Sequence, residues 1–397
     1  MNKEEILMRD TFEKSKEIIE RQMAVNKEKS VMKRFMSNHN YDNIIICHHL
    51  DLDGYTSYAL AKVLIERFVD TEDKEIHHVS MNYAKETFRS ILRWEVGPRI
   101  NYKNSLLVFV DLSFNIDASI KDVIDMANEG SDIIYIDHHI KTFQHEMLKE
   151  YEAHDNIAVF GQSGISASMF VATLIDLYAG YEHKLVMDKY SHVPFVQYVN
   201  DWDVFNHYYE CTYELKVAGD SYLVGSKGFE IFYDESKGFT FFSDELEKID
   251  PDDLELGFYY DGEVTDEWLV NILIRTGKFM ARAIDDINRR AVESYSVPIM
   301  LGDYVCLTLN TTESSSKTFG EEFENYDCVM VYRAKENRIT ASVYSKWDSE
   351  FDCNEFAKQF GGGGHTHAAG FSISMDKYYT PVEVIEKLYN EIIKEES

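Results

Sequence analysis

Short apolar runs, each followed by polar residues and then an amphipathic stretch, set the rhythm of the first half of the chain. Ile44-Ile45-Ile46-Cys47, Leu106-Leu107-Val108-Phe109-Val110 and Ile133-Ile134-Tyr135-Ile136 are continuous runs of β-formers. Strands buried on both faces of a parallel sheet read this way. A weaker strand is predicted over residues 74–84, around Ile76 to Met81. Between the runs, Tyr55 to Phe68 and Asp117 to Asn128 carry apolar residues at helical spacing: Ala59, Leu60, Val63, Leu64 and Phe68 in one, Ile120, Val123, Ile124 and Ala127 in the other. Such βαβα alternation predicts an α/β fold with a doubly wound, mostly parallel sheet. Residues 1–38 predict a helix with an imperfect apolar stripe (Ile6, Leu7, Phe12, Ile18, Ile19, Met23, Met32). That helix packs on its own domain or on a twin subunit, which leaves a homodimer open.

Ser163 to Tyr178 predicts a further helix, opened by small residues. Its N-terminus can present N–H groups to a phosphate, or it can simply be capped. Residues 209–262 mix glycine, aromatic and acidic residues without period and read as an insertion. Glu267 to Ser294 predicts a long connecting helix. Strands over Pro298 to Asn310, Tyr326 to Arg333 and Arg338 to Ser345 follow, with a helix from about Phe319 to Asn325. The organisation read from these patterns is an N-terminal helix over 1–38, a first domain over 39–208, an insertion and connecting helix over 209–295, and a smaller C-terminal α/β domain over 296–397.

Charge narrows the partners. The formal net charge is -30 over 397 residues, and no basic run interrupts it. Long duplex nucleic acid is held through many phosphates on a basic face, so this chain is a poor fit to long polyanions. A short nucleotide in a local pocket with metal ions remains compatible. No apolar run approaches the roughly 18–20 residues of a membrane span, and the charged N-terminus does not read as a signal peptide. The five cysteines (Cys47, Cys211, Cys306, Cys328, Cys353) are scattered and form no CxxC pair, which argues against a disulfide framework or thiolate zinc and fits the cytoplasm.

The chemistry sits where the apolar runs end. The first run leads into His48-His49-Leu50-Asp51-Leu52-Asp53-Gly54, the second into Asp111, the third into Asp137-His138-His139. In an open α/β sheet these positions face the ligand crevice. If residues 49–53 are extended, His49, Asp51 and Asp53 project from one side, and Gly54 permits the turn into the helix. Asn200-Asp201-Trp202-Asp203 offers one more carboxylate, Asp201, with Asp203 as its rival. His77 and His78 lie within a strand with no carboxylate beside them and are the weaker candidates. Taken together, His49, Asp51, Asp53, Asp111, His138 and Asp201 supply carboxylate and imidazole without thiolate, a set that favours Mn²⁺ or Mg²⁺ over structural zinc. Carboxylates converging on one rim repel unless cations neutralise them. Two ions roughly 3.5–4 Å apart are the common solution for phosphate-ester hydrolysis, and Asp111 on the middle run is the natural bridge.

Near the C-terminus, Gly361-Gly362-Gly363-Gly364-His365 reads as a loop rather than a strand, its backbone N–H groups able to approach an anion and His365 adding a donor.

HxDxDG, then Asp, then Asp-His-His, then a further Asp, then GGGGHxxAAG, occurring in that order, resembles the DHH phosphoesterase family with its C-terminal DHH-associated domain, over about residues 40–205 and 296–375. The form of the first motif and the length look most like the nanoRNases (oligoribonucleases). The resemblance implies an active site in the cleft between a DHH catalytic domain and a DHH-associated substrate-binding domain. It also implies two Mn²⁺ ions, and hydrolysis of short single-stranded RNA, dinucleotides or cyclic dinucleotides to nucleoside monophosphates. By matching position, His49 and Asp51 would bind one metal and Asp53 the other, with Asp111 bridging and His138 and Asp201 completing the set. His139 would face the substrate phosphate, and Asp137 would orient the histidines. Gly362, Gly363, Gly364 and His365 would hold the far end of the substrate. Two departures stand out. Cys47 occupies a slot where some members carry the first-motif histidine. Tyr344 stands where many carry an arginine, which implies a base stacked on an aromatic ring, with Arg338 supplying charge.

Overall fold

The computed structural model describes residues 3–81, 87–97, 100–114, 117–179, 195–204, 206, 208–209, 212–225, 230–234, 238–242, 266–312, 315–335, 338–374 and 385–386. The chain divides into two compact units, Met1–Met280 and Ala281–Ser397.

In the first unit the three apolar runs become β1 (Asn43–His49), β3 (Ser105–Val110) and β4 (Asp132–Ile136), joined by β2 (Ile76–Met81) and β5 (Ile157–Phe160). All pairings are parallel, in the order β2-β1-β3-β4-β5. Alternate side chains feed two cores. Ile44, Ile46, Leu106, Val108, Ile134 and Ile136 pack under α1 (Lys3–Asn26), α3 (Leu52–Phe68) and α8 (Ala167–Ala179). Ile45, Cys47, Leu107, Phe109, Ile133 and Tyr135 pack on the opposite face, against α4 (Phe88–Glu95), α5 (Asp117–Asn128) and α7 (Leu148–Ala153). The chain leaves β1 to either side in this order, so the sheet has a switch point between β1 and β3. The crevice outside their C-terminal ends is where ligands bind in such sheets.

The N-terminal helical region is two helices, α1 and α2 (Ser30–Phe35). Helix α1 packs on α8 and β5 of its own chain. Side chains from this region also close the outer edge of β5. Lys29 Nζ donates to Ile157 O at 2.6 Å, Asn26 Nδ2 to Val159 O at 2.8 Å, and Gln22 Nε2 to Gly161 O at 2.7 Å. Gly161 N–H returns to Gln22 Oε1 at 2.9 Å. Alternate carbonyls of a strand point to one edge, so three side chains remove an exposed template for strand addition.

Several elements differ from the pattern-based expectation. Strand β4 stops at Ile136, so Asp137, His138 and His139 lie on the loop before α6 (Ile140–Gln144). The sequence pattern did not mark α4, α6, α7 or the four-residue β5. The insertion expected over 209–262 lies largely outside the described residues; its described parts are α10 (Thr212–Gly225), β6 (Glu230–Asp234) and β7 (Gly238–Phe242).

The boundary between the units falls inside α11 (Asp266–Tyr295). The second unit is a mixed six-stranded sheet in the order β12-β13-β11-β10-β9-β8. The single strand expected from Pro298 to Asn310 is a hairpin of β8 (Val297–Leu301) and β9 (Tyr304–Asn310), turning at Gly302, whose φ is 62°. A 3₁₀ segment, Ser316–Asn325, precedes β10 (Cys328–Lys335) and β11 (Arg338–Ser345). After α12 (Cys353–Lys358), Gly363–His365 forms β12, paired antiparallel with β13 (Ala368–Ser374). The glycine run is therefore part of a hairpin, not a free loop.

Candidate metal centre

Strand ends and helix starts deliver the polar side chains of the first unit to one place. Asp51 caps α3, its Oδ1 accepting from Gly54 N–H at 2.9 Å. Gly54 is required there by close approach, since a Cβ would lie 2.2 Å from His49 O. Helix α3 already begins at Leu52, so Asp53 lies in its first turn rather than on an extended stretch. Asp53 still turns to the cluster, and it accepts from Ala167 N–H at 2.9 Å and Ser168 N–H at 3.1 Å. The N-terminus of α8 is thus occupied by a carboxylate of this chain, which settles the choice between phosphate binding and capping in favour of capping.

Asp111 follows β3 in the left-handed region, with φ 58°, and its N–H is held by Ile136 O at 2.9 Å. A non-glycine residue pays conformational energy there, and only its surroundings keep it so. The result aims its carboxylate between two groups of ligands. His49 Nδ1 lies 2.6 Å from Asp51 Oδ2 and 3.8 Å from Asp111 Oδ2. On the other side, His138 Nε2 lies 3.2 Å from Asp111 Oδ1, 3.0 Å from Asp203 Oδ2 and 4.0 Å from Asp53 Oδ2. Three overlapping sets of atoms are close enough to share an ion: His49, Asp51 and Asp111; Asp53, His138 and Asp203; and Asp111, Asp137, His138 and His139.

Hydrogen bonding separates these residues into two kinds. Asp51 and Asp53 have backbone donors. Neither oxygen of Asp111, neither ring nitrogen of His138 and not Oδ2 of Asp203 has a hydrogen-bond partner among the described residues, although all are buried. Such atoms are costly in a folded protein unless something fills the gap. Electrostatics agrees. Burial, and then the charges of Asp51, Asp53, Asp203 and Asp137, push the Asp111 carboxyl well above its usual range. Burial, with Asp53 and Asp51, does the same to Asp203. Burial also raises Asp53, against His138 and the Ser168 hydrogen bonds. Asp51 moves the other way, because His49 outweighs its burial. A divalent cation would supply the missing partner for the Asp111 oxygens, His138 Nε2 and Asp203 Oδ2, though not for His138 Nδ1, and the hard oxygen-plus-imidazole set suits Mn²⁺ or Mg²⁺.

Asp201 is not in the cluster. It accepts from Tyr208 N–H at 2.8 Å and Tyr209 N–H at 3.1 Å, closing the turn after α9 (Phe195–Asp203). Asp203 takes the place at His138. Residues two apart on a helix point to nearly opposite sides, so only one of the pair can face the site. Cys47 is buried in the core of the opposite sheet face, its thiol pushed up by burial. His78 Nε2 meets His48 Nε2 at 2.5 Å beneath the site, and burial lowers the His48 ring to about 3. Neither His77 nor His78 joins a ligand group.

In the second unit the residues predicted to hold substrate do not form one group. Tyr344 is only 7% exposed, and burial pushes its hydroxyl up to about 12, so its ring offers no face to a base. Arg338 pairs with Ser374 at one end of β11, whereas Tyr344 pairs with Ala368 at the other, about 20 Å away along the strand. Gly362 N–H donates to Ala357 O at 2.9 Å and Gly364 N–H to Asn354 Oδ1 at 3.2 Å, so both are used inside the unit. A Cβ at Gly364, where φ is +157°, would lie 2.4 Å from Ala368 O. His365 pairs with Ala368 at the Tyr344 end of the sheet. Beside it the structure reveals an aromatic group the sequence reading passed over: Trp347 is 64% exposed, its ring 4.6 Å from that of His367. Ser345 Oγ fixes His367 Nδ1 at 3.1 Å.

Residues 43–192 match the model of the DHH family, N-terminal domain. No curated protein sequence matches the chain. Among solved structures the chain is similar to a DHH domain described as a member of the s1p family of ribosomal proteins, at 14% identity over 99% of this chain and 92% of that one, with a TM-score of 0.54. It also aligns with the exonuclease RecJ bound to manganese (11% identity, 94% of each chain, TM-score 0.46). A third match is the pGpG-specific phosphodiesterase PggH of Vibrio cholerae (12% identity, 89% and 99%, TM-score 0.41). At these identities the first likeness is one of fold.

Proposed function

We propose that this chain, a DHH-family phosphoesterase by its residues 43–192, is a metal-dependent phosphodiesterase that cuts short single-stranded oligonucleotides to nucleoside monophosphates. The observation that carries the reading is the pair Asp111 and His138: both Asp111 oxygens and His138 Nε2 are buried without hydrogen-bond partners among the candidate ligands. His49, Asp51 and Asp111 would hold one ion, and Asp53, His138 and Asp203 the other, with Asp111 reaching both. When bound, two Mn²⁺ or Mg²⁺ ions at such a centre acidify a shared water and neutralise the phosphoryl oxygens. The protein's own part is to gather the carboxylates side by side, to fix Asp51 and Asp53 through backbone N–H donors, and to present His139 to the phosphate.

The preference for short substrates is supported by the charge of -30, which disfavours long polyanions. Trp347, rather than Tyr344, offers a stacking face for a base, with His365 and His367 beside it. Among the described residues no helix is long and apolar enough to cross a membrane. The four described cysteines are free, which supports a cytoplasmic setting.

The test is Mn²⁺-dependent turnover of 5′-labelled RNA and DNA, from the dinucleotide upward, with cyclic di-AMP and linear pApA alongside. Fast cleavage of the shortest linear RNA, fading with length, is the expected result. A preference for the cyclic compound would move the function to second-messenger turnover. Metal binding with no hydrolysis of any substrate would make the protein a nucleotide-binding one.

A further inference from the structure

Strand β4 holds the left-handed turn at Asp111 from both sides. The N–H of Asp111 donates to Ile136 O at 2.9 Å. The next carbonyl, Leu112 O, accepts from the hydroxyl of Tyr135, the residue before Ile136 on the same strand. A backbone carbonyl carries no proton, so the direction of this bond is fixed and Tyr135 is the donor. Tyr135 is fully buried and stands opposite Phe109 in the β3–β4 pairing. Its ring stacks on Phe109 at 5.7 Å and meets Phe114 and Tyr151 edge-on at 5.3 and 5.5 Å. A ring walled in this way has little room to swing, and its hydroxyl is delivered to one place. Had β3 continued extended, Leu112 would lie about 10 Å beyond Phe109 along the strand, out of reach of a tyrosine opposite Phe109. The turn at Asp111, φ 58°, returns Leu112 to the core that Tyr135 shares. Turn and hydroxyl contact therefore depend on each other.

We propose that Tyr135 is a positioning residue: its hydroxyl holds the peptide after Asp111 and so fixes the turn that aims the Asp111 carboxylate between His49 and Asp51 on one side and His138 and Asp203 on the other. The aim toward cations rests on the function proposed above; the hold on the backbone does not. A non-glycine residue keeps a left-handed conformation where its surroundings over-determine it. The Asp111 side chain does not supply that hold, since neither of its oxygens makes a hydrogen bond among the described residues. Tyr151 provides the comparison. It is as buried as Tyr135 and belongs to the same aromatic cluster, yet its hydroxyl donates to Ile120 O on α5, at 2.8 Å.

The test reads backbone amide exchange by mass spectrometry on the metal-free full chain, next to calorimetric titration of Mn²⁺ into the same samples. Wild type is expected to be protected over residues 110–113. Tyr135→Phe keeps the ring and removes only the hydroxyl, so exchange over that segment should rise about tenfold. Mn²⁺ affinity should fall about 10–100-fold, at both ions together, because Asp111 serves both. Tyr151→Phe removes a comparable hydroxyl and should leave exchange over 110–113 and Mn²⁺ affinity within about twofold of wild type, even where its melting temperature falls as far. Wild-type exchange over 110–113 as fast as that of an exposed loop overturns the inference without any variant. So does a Tyr135→Phe chain with wild-type exchange, one with wild-type Mn²⁺ affinity, or an equal loss in Tyr151→Phe. If wild type binds no Mn²⁺, the cation assignment fails with the proposed function, and the exchange data still decide what Tyr135 holds.

Discussion

The end of the first unit's sheet and the glycine hairpin of the second unit answer the same question in opposite ways. Both gather polar groups beneath a rim. In the hairpin the backbone is satisfied from within, with Gly362 and Gly364 donating to Ala357 and Asn354. There the glycines serve close packing. At the sheet end, Asp111, His138 and Asp203 keep buried polar atoms without partners. A folded chain sustains that arrangement when a ligand completes it. The contrast teaches that a run of special residues is not in itself a binding site; unmet hydrogen-bonding capacity is the more direct sign of one.

The largest effect that would break this contrast is on turnover. Asp111→Asn or His138→Ala should lower kcat by about 10³-fold or more in Mn²⁺-saturated assays while the far-ultraviolet spectrum is unchanged. Retained turnover in either variant would detach the orphaned atoms from catalysis.

Stability comes next. The folded-state pKa of Asp111 is raised well above the 3.8 of an unperturbed carboxyl. A group raised on folding favours the fold fully below its unfolded pKa and loses that contribution as pH climbs through the folded value. Metal-free wild type should therefore lose stability above about pH 4 relative to Asp111→Asn, by about 1–3 kcal/mol at neutral pH. Urea melts across pH would show it, and Mn²⁺ should reverse the order of the two proteins. Parallel pH profiles would contradict the reading of Asp111 as an uncompensated carboxylate.

Two smaller effects sharpen the picture of the second unit. Trp347→Ala should weaken apparent dinucleotide affinity by about 1–3 kcal/mol, the worth of one base stacked on an aromatic ring, as read in KM. Gly364→Ala should destabilise the chain by about 1–3 kcal/mol, because φ +157° and a 2.4 Å approach to Ala368 O both exclude a methyl group. Gly363→Ala, whose Cβ would meet only Asn354 Oδ1 at 3.8 Å, should stay within about 0.5 kcal/mol in the same melts. A Gly363→Ala protein of normal stability that no longer binds dinucleotide would restore the anion-cradle reading of the glycine run.

Much of the first unit was legible because burial on both faces leaves an unmistakable trace. Continuous runs of β-formers such as Leu106 to Val110, too short for a helix and bounded by polar residues, read as covered strands, and Asp111 and Asp137-His138-His139 follow them. Where the period is short or the geometry three-dimensional, the sequence falls silent. Strand β5 has four residues and no alternation to read. Asp201 and Asp203 are chemically alike, and only the helical phase of α9 shows which one meets His138. Asp53 reaches the cluster from the first turn of a helix rather than from the extended stretch that the alternation of residues 49–53 suggests. The glycine run was misjudged because low strand propensity yields where two backbones must pack closely, as Gly362 and Gly364 do against β13. Tyr344 and Trp347 are three residues apart, and nothing in their identity tells which ring the sheet buries.

In the proposed centre Asp111 would lie between two cation sites, one completed by His49 and Asp51 and the other by Asp53, His138 and Asp203. Calorimetric titration of Mn²⁺ into metal-free wild type, Asp203→Asn and Asp201→Asn tests it most directly. Two ions per chain in wild type and in Asp201→Asn, with one of the two weakened or lost in Asp203→Asn, is the predicted result. A single ion in wild type, or a loss that follows Asp201 instead of Asp203, would contradict the account.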